Sequence, residues 1–365
     1  MKLLLIRLRL IGDVVFTTPA IRALRRVNPD ARISYLVEPA ASPVVLHHPL
    51  LDEVLVIRKS RGLARLVDDT RWGWQLRRRH YDVVIDFHGG PRSAWLCRAT
   101  GAPTRLGYAI PGRAGVYTVR VPRVKELRPR HSVQNQWDLL RALDPALDRE
   151  PDPALEPVEM WASRHAAGLV AGRLAKAGIP PSARLVVLHV SAGNPFRRWP
   201  EDSFVTLAAS LAAGGHDRRI ILTAGPSDRE ATARVAARAR ARVGTAGSES
   251  IVDLDDVTLD ELHALVSRAA LYIGGDSGPL HVAATTNAPI VGLYGPTLAE
   301  RSAPWRDPRF VTESVDAGRL PCRPCDQRAC APGDFRCLTQ LPVAAVLEAA
   351  ERALTSAAVG QESSE

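Results

Sequence analysis

The sequence predicts an α/β protein with two doubly wound halves, each a mostly parallel sheet covered by helices. Short apolar runs of strand length alternate with longer helical patterns along most of the chain. A segment rich in proline and acidic residues, 147–157, has the composition of an extended linker, and the alternation begins again after it. The length of 365 residues is enough for about two domains.

In the first half, apolar runs separated by turn residues define the elements. Strands are predicted at residues 3–8, 31–37, 53–57 and 81–87, with short extended pieces at 105–108 and 116–121. Helices are predicted at 17–27, 40–48, 61–79 and 131–143, and one more carries Trp95 and Cys97. Ligands of doubly wound sheets bind beyond the carboxyl ends of the strands, which makes Gly12-Asp13 and His88-Gly89-Gly90 candidate binding loops.

The second half repeats this organisation after the linker. Strands are predicted at 185–190, 219–223, 252–254, 269–273 and 290–294. Helices are predicted at 160–177, 200–213, 229–242, 259–267, 280–285 and 343–354. We therefore expect domains at 1–157 and 158–355, with a last helix that can pack back on the first domain and a disordered polar tail at 356–365.

Composition narrows the class of protein and its partners. The formal net charge is +9, which suits an acidic substrate or an anionic membrane surface. Nucleic acid is disfavoured as a partner, because the arginines are scattered and aromatic residues make up only 5% of the chain. No apolar run approaches the ~20 residues of a membrane span, and Arg7 and Arg9 interrupt the apolar N-terminus, so we expect a cytoplasmic protein whose first segment is a strand.

The stretch from residue 269 to residue 285 predicts a strand, a tight polar loop and a helix start. Gly274 and Gly275 allow the backbone to turn, and Asp276 and Ser277 are good N-cap residues. The free N–H groups and dipole of a helix start favour an anion, so this loop is a candidate phosphate site. The same residues are also common in loops that only need a turn.

Two nucleotide-binding classes lack their fingerprints in this chain. No G-x-G-x-x-G follows the first strand, which argues against a nicotinamide dehydrogenase. No G-x-x-x-x-G-K-[ST] is present, which argues against a P-loop enzyme. A phosphate-bearing ligand would therefore be bound by other means.

Four motifs together resemble glycosyltransferase family 9, the bacterial ADP-heptose:lipopolysaccharide heptosyltransferases. They are Leu10-Ile11-Gly12-Asp13 with Thr18-Pro19-Ala20, Arg198-Trp199-Pro200, Gly275-Asp276-Ser277-Gly278 with His281, and Leu293-Tyr294-Gly295-Pro296-Thr297. The resemblance implies a GT-B architecture, with two Rossmann-like doubly wound domains facing a central cleft. It also implies a donor on the C-terminal half, an acceptor on the N-terminal half, and an inverting transfer without a catalytic metal or other cofactor.

The resemblance assigns roles residue by residue. Asp13 matches the catalytic base, and an inverting transfer needs a carboxylate to accept the proton of the attacking hydroxyl; the alternative is that Asp13 only caps a helix. The donor site would contain Arg197, Arg198, Glu230 (or Asp228), Asp276, Ser277, Gly278 and His281. The acceptor site would contain Gly12, His88, Gly89, Arg92 and Arg113, with Arg123 a further candidate.

Four cysteines follow a C-x2-C-x4-C-x6-C spacing near the end of the chain, at Cys322, Cys325, Cys330 and Cys337. Four thiolates suit a structural zinc site, but this spacing is not that of a familiar zinc finger. We expect free or packing cysteines ahead of a structural metal, and we assign no metal ligand. Stable disulfides are not expected in a reducing cytoplasm.

The sequence thus predicts an inverting transferase that moves heptose from ADP-heptose to a lipopolysaccharide core acceptor. We expect it at the cytoplasmic face of the inner membrane, held there by its positive surface. One alternative is a family member that uses another nucleotide sugar or a protein acceptor. Another is a nucleotide-sugar-binding protein without transfer activity, which the presence of Asp13 disfavours.

Overall fold

The computed structural model describes residues 1–60, 62–123, 130–190, 193–225 and 228–362. The chain forms two compact units, Met1–Trp161 and Ala162–Glu365, so the division lies just beyond the predicted one after residue 157. Residue 61, the first of the helix predicted at 61–79, and residues 363–365 of the predicted tail lie outside the described residues.

The first unit is built on a six-stranded parallel sheet in the order β3-β2-β1-β4-β5-β6. Its strands are β1 (Lys2–Ile6), β2 (Arg32–Val37), β3 (Glu53–Val56), β4 (Val83–Asp86), β5 (Thr104–Tyr108) and β6 (Val119–Val121). Its helices are α1 (Ile11–Val15), α2 (Thr18–Val27), α3 (Pro43–Leu46), α4 (Gly62–Arg77), α5 (Pro91–Ala99) and α6 (Ser132–Arg141). The apolar N-terminus is thus a central strand, as its sequence predicted.

The second unit has the same topology, because its parallel sheet runs β12-β11-β10-β7-β8-β9. Its strands are β7 (Arg184–His189), β8 (Arg218–Thr223), β9 (Ile251–Asp253), β10 (Leu271–Gly275), β11 (Ile290–Tyr294) and β12 (Thr312–Asp316). Its helices are α7 (Arg164–Lys176), α8 (Glu201–Ala213), α9 (Arg229–Val243), α10 (Thr245–Ser248), α11 (Leu259–Val266), α12 (Gly278–Ala283), α13 (Ala299–Ser302), α14 (Arg336–Thr339) and α15 (Val343–Glu362). Both orders are the doubly wound arrangement of dinucleotide-binding domains.

Sequence patterns missed β12 because it is an edge strand with a polar, half-exposed composition and no apolar run. They also missed α1, whose five residues are too few for a helical period. The piece predicted at 116–121 is shorter than expected, because a 3-10 turn occupies Ala114–Val116 and leaves β6 only Val119–Val121.

The last helix, α15, packs within the second unit. Val346, Ala349, Ala353 and Leu354 are buried in the same apolar cluster as strands of the second sheet. Glu351 accepts two hydrogen bonds from Arg218, at 2.6 and 2.7 Å, which ties the helix to β8. The helix continues to Glu362, past the start of the tail predicted at residue 356. No described helix is both long and apolar enough to cross a membrane.

The predicted linker folds into a turn rather than extending. The amide of Glu156 donates to the Asp152 carbonyl oxygen at 2.7 Å, and the Glu156 side chain is fully buried. Arg149 donates to Glu156 Oε2 at 3.1 Å and Arg26 donates to its Oε1 at 2.5 Å. Two guanidinium groups therefore satisfy a buried carboxylate, and the one from α2, Arg26, holds this segment against that helix.

Candidate active site

Polar residues gather at equivalent places in the two units. The first-unit site consists of Arg7, Gly12, Asp13, His88 and Gly89, which follow the neighbouring strands β1 and β4. The second-unit site consists of Arg197, Asp276, Ser277, Gly278, His281 and Thr297, which follow β7, β10 and β11. In each sheet the chain leaves the two central strands toward opposite edges, and such a switch point is where doubly wound folds bind ligands.

Asp13 is held by a guanidinium group and does not cap a helix. Leu10 is the N-cap residue of α1, and Asp13 lies in the first turn without a capping hydrogen bond. Arg7 donates from Nη2 to Asp13 Oδ2 and from Nη1 to the Phe87 carbonyl oxygen at 2.5 Å. The Asp13 side chain is 29% exposed and that of Arg7 only 12%, so a more buried cation orients a carboxylate that remains accessible.

A buried carboxylate builds the loop that follows β4. Asp86 accepts hydrogen bonds from the amides of His88 and Gly89, at 2.9 and 3.0 Å. The hydroxyls of Ser93 and Tyr117 donate to its other oxygen, at 2.9 and 2.7 Å. Burial raises the pKa of Asp86, because these neutral donors only partly offset the loss of water. Sequence reasoning had treated this residue only as the end of a strand.

Gly89 is required by the geometry of the same loop. Its φ of +62° is a conformation that residues with a Cβ rarely adopt, and a Cβ would lie 3.0 Å from Ile110 Cδ1. Arg113 donates from Nη1 to the Gly89 carbonyl oxygen, so this predicted acceptor residue supports the loop directly. Asp86 thus holds the amide of Gly89 and Arg113 holds its carbonyl group, so the loop is fixed on both sides of this residue.

The electrostatic field of the first-unit site is positive. Burial together with Arg7 and Arg9 lowers the pKa of His88 to about 4, against a smaller opposing effect of Asp13. His88 is therefore neutral at pH 7 and can serve as a hydrogen-bonding group rather than a cation. Of these arginines Arg9 is exposed, and its positive charge at the surface favours an anionic ligand.

The structure places Arg92 between carboxylates of its own unit, which the amino-acid sequence did not indicate. It is only 9% exposed, and its Nε donates to Asp69 at 2.8 Å while its Nη1 lies 3.4 Å from Glu38 Oε1. These carboxylates already balance its charge, so Arg92 ties α5 to α4. Arg123, in contrast, is exposed and lies over the Tyr108 ring at 5.5 Å.

Asp276 organises the second-unit site and is only 2% exposed. Thr297 donates to Asp276 Oδ2, Arg197 Nη1 lies 3.2 Å from the same oxygen, and His281 Nε2 lies 3.5 Å from Oδ1. Burial alone would raise the pKa of Asp276, but His281 and Arg197 outweigh it and lower the pKa to about 2. Asp276 is thus an ionised carboxylate that orders the loop.

The structure distinguishes the adjacent arginines that the sequence left open. Arg197 donates to the Asp276 carbonyl oxygen at 2.8 Å, in addition to facing its carboxylate. Arg198 points elsewhere and forms a 3.0 Å ion pair with Asp228. Arg197 therefore supplies the cation of the second-unit site.

The remaining predicted donor residues lie either at the start of α12 or at the start of α9. Ser277 is the N-cap residue of α12, and its Oγ donates to the Gly275 carbonyl oxygen at 3.1 Å. A Cβ on Gly275 would lie 3.2 Å from the Arg197 carbonyl oxygen, so glycine permits a close approach of two backbone segments. Glu230 is exposed in the first turn of α9, whereas Asp228 is buried and paired with Arg198.

Comparison with known proteins identifies the family. A model described as glycosyltransferase family 9 (heptosyltransferase) matches residues 70–331, which is more than half of the chain. The chain belongs to glycosyltransferase family 9. Over 357 residues it is 26% identical to lipopolysaccharide heptosyltransferase 3 of Escherichia coli, covering 97% of this chain and 99% of that relative.

Solved structures of the family share the fold. A family 9 glycosyltransferase from Veillonella parvula superposes with a TM-score of 0.82 at 21% identity, covering 97% of both chains. The ADP-heptose lipopolysaccharide heptosyltransferase II of E. coli gives a TM-score of 0.77 at 21% identity, covering 97% of this chain and 99% of that one. These findings confirm the predicted family resemblance and the GT-B fold class with its two Rossmann-like units.

In this family 9 chain the cysteine segment lies beside the second-unit site. Gln327, between Cys325 and Cys330, accepts hydrogen bonds from Arg197 Nε at 2.8 Å and from Asn194 Nδ2 at 2.7 Å. All four cysteines of the motif have free thiols, and Cys337 is buried. No group of three or more His, Cys, Asp or Glu side chains in the described part of the chain is arranged to hold a metal.

Proposed function

We propose that this chain transfers heptose from ADP-heptose to a lipopolysaccharide core acceptor, with inversion at the anomeric carbon and Asp13 as the general base. The observation that carries the proposal is the partly exposed Asp13 carboxylate, which Arg7 orients at the switch point of the first unit. The names of two relatives supply the donor and the acceptor class, namely ADP-heptose and lipopolysaccharide.

The reaction assigned to Asp13 is a single displacement. The acceptor hydroxyl oxygen attacks the anomeric carbon from the face opposite the ADP, and one Asp13 oxygen takes the hydroxyl proton. The bond from the anomeric carbon to the phosphate oxygen breaks, and ADP leaves with the bonding electrons. Arg7 keeps the carboxylate oriented, because its guanidinium is itself fixed on the Phe87 carbonyl oxygen.

The second-unit site would bind the donor. Arg197 would offset the negative charge that grows on the leaving diphosphate. The Ser277 hydroxyl and the amide of Gly278 would hydrogen-bond the phosphates, while Asp276 and His281 keep this loop in place. Because the chain provides this cation itself, the proposal includes no metal step and no cofactor.

The first-unit site would bind the acceptor. Arg9 and Arg123, which are exposed and help to lower the pKa of His88, form a positive surface suited to acidic sugars and phosphates of a lipopolysaccharide core. Such an acceptor is anchored in a membrane by its lipid, so the proposal includes a peripheral position at the cytoplasmic face of the inner membrane.

The test is ADP release from ADP-heptose in the presence of a truncated lipopolysaccharide core, for wild type, Asp13→Ala and Asp13→Asn. We expect acceptor-dependent release by the wild type and a loss of about 10²–10⁴-fold in both variants, the usual scale for a general base. Asp30→Ala is the matched control, because Asp30 is an exposed aspartate of the same unit.

Two outcomes would count against the proposal. Release that survives in both Asp13 variants would place the base elsewhere. A wild type that does not bind ADP-heptose, as measured by calorimetry, would exclude this donor and favour another nucleotide sugar.

A further inference from the structure

One face of α4 exposes large apolar side chains to solvent. Leu66, Val67 and Trp74 are 64%, 69% and 59% exposed, and with Thr70 and Arg71 they line a shallow open depression. Large apolar residues scattered singly on a surface are ordinary, but a contiguous group on one helix face marks an interaction site.

Helix periodicity explains why these residues lie together. Positions 66, 67, 70, 71 and 74 recur at intervals that place them on one side of the helix. The side of the helix that faces inward carries Gly73 and Leu76, which are buried. A Cβ on Gly73 would lie 2.8 Å from Trp95 Cη2, so this side is closely packed against α5. The apolar face that contains Leu66, Val67 and Trp74 is therefore an additional one, not the core face; we name it the α4 outer face.

The α4 outer face is also positively charged. Arg71 is exposed, and exposed Arg78, just past the helix end, places its guanidinium 4.1 Å from the centre of the Trp74 ring. The two acidic residues of the helix are engaged beside it: Asp68 accepts a hydrogen bond from Ser60, and Asp69 accepts from Arg92. Among the described residues neither Arg71 nor Arg78 forms a salt bridge, so the outer face combines apolar side chains with two arginines available to an anion.

We propose that the α4 outer face docks onto the surface of an anionic lipid bilayer. An amphipathic helix can bind the surface of a bilayer by burying its Trp and Leu side chains among the lipids. Arginines beside these apolar side chains then pair with the lipid phosphates. The inference rests on the proposed function in one respect, because a lipid-anchored acceptor gives the enzyme a reason to bind a membrane. Docking through the first unit would hold that unit at the surface from which the acceptor sugar projects.

The test uses the full chain and vesicle sedimentation. We expect binding to vesicles of phosphatidylglycerol and phosphatidylethanolamine, and much weaker binding to phosphatidylcholine alone. The double variant Leu66→Ser/Trp74→Ser should reduce vesicle affinity about tenfold or more. Arg71→Gln and Arg78→Gln should each reduce it about fivefold, and high salt should remove this difference.

Matched controls come from exposed residues of other helices. Leu169→Ser on α7 and Arg238→Gln on α9 remove a 45% exposed leucine and an exposed arginine, and should leave vesicle binding unchanged. Thermal unfolding should be the same for all these variants, because every substituted side chain is exposed.

Three results would overturn the proposal. Equal affinity of wild type and the Leu66/Trp74 double variant for anionic vesicles would exclude this face, and equal binding to phosphatidylcholine would exclude the charge argument. A concentration-dependent dimer that the double variant abolishes would show that the face contacts a second copy instead. ADP release with the truncated lipopolysaccharide core is measured alongside; its absence in the wild type would refute the proposed function without changing the vesicle result.

Discussion

Two buried aspartates at the same topological position behave in opposite ways. Asp86 ends β4 of the first sheet, and Asp276 directly follows β10, the corresponding strand of the second. Both side chains are almost completely withdrawn from water. Burial raises the pKa of Asp86, whereas the pKa of Asp276 is lowered to about 2.

The two pKa shifts have opposite directions because the two carboxyl groups have different partners, since both groups are similarly buried. Asp86 is hydrogen-bonded by amides and hydroxyls, which carry no net charge. Asp276 faces Arg197 and His281 in addition to the Thr297 hydroxyl. Neutral donors in a low-dielectric site only partly replace the lost hydration of a carboxylate, while cationic partners favour its charged form. One duplicated topology therefore yields a carboxyl group held by uncharged donors in one unit and an ion-paired carboxylate in the other.

Among the substitutions that test this comparison of Asp86 with Asp276, the largest effect is expected at the cation that faces Asp276. Arg197→Ala should lower kcat/KM for the donor by about 10²-fold, a typical loss for removing one group that stabilises developing negative charge. Arg198→Ala should lower it by less than about fivefold, because the Arg198 guanidinium pairs with Asp228 rather than with the Asp276 carboxylate that faces the second-unit site. Steady-state assays of ADP release compare the two; equal losses would contradict the assignment of Arg197.

An intermediate effect is expected from Asp276→Asn, measured by urea unfolding between pH 2 and pH 6. The pKa of Asp276 is lowered from its ordinary 3.8 to about 2, so the ionised carboxylate stabilises the fold above pH 4 and loses this effect as the pH falls toward 2. The wild type should lose on the order of 2 kcal/mol more than the variant over this range. Parallel pH profiles of the two proteins would show that the ion pairs do not stabilise the fold.

The smallest effect is expected from Asp86→Asn. An asparagine oxygen can accept from the amides of His88 and Gly89, and its amide can donate to the Ser93 and Tyr117 oxygens, so the free energy of unfolding should change by less than about 1 kcal/mol at low pH. Because the pKa of Asp86 is raised, its carboxyl is most favourable below that pKa, and the variant should gain relative stability as the pH rises to 7. Urea midpoints at pH 4 and pH 7 measure this; a variant that loses stability with rising pH would contradict it.

Local patterns in the amino-acid sequence were sufficient to predict the order of the strands along the chain and the fold class. Apolar runs of strand length and turn residues predicted the positions of eleven of the twelve described strands closely enough to give the doubly wound class, because strands of a buried parallel sheet are continuous apolar segments. The edge strand β12 lacks that signal and was missed. The residues at the switch points were predictable as well, since ligand-binding loops follow the strands that lie at the centre of such sheets.

The sequence by itself determined the fold class, the family and the loops in which the candidate site residues lie. Only the tertiary structure decided which side chains meet: Arg7 with Asp13, Arg197 rather than Arg198 with Asp276, and Gln327 with Arg197 across 130 positions of the chain. It also showed that Arg92 is committed to Asp69 and Glu38, and that a second face of α4 stays exposed. Apolar periodicity is a local property that each segment carries alone, whereas ion pairing and burial depend on distant segments that become neighbours only on folding.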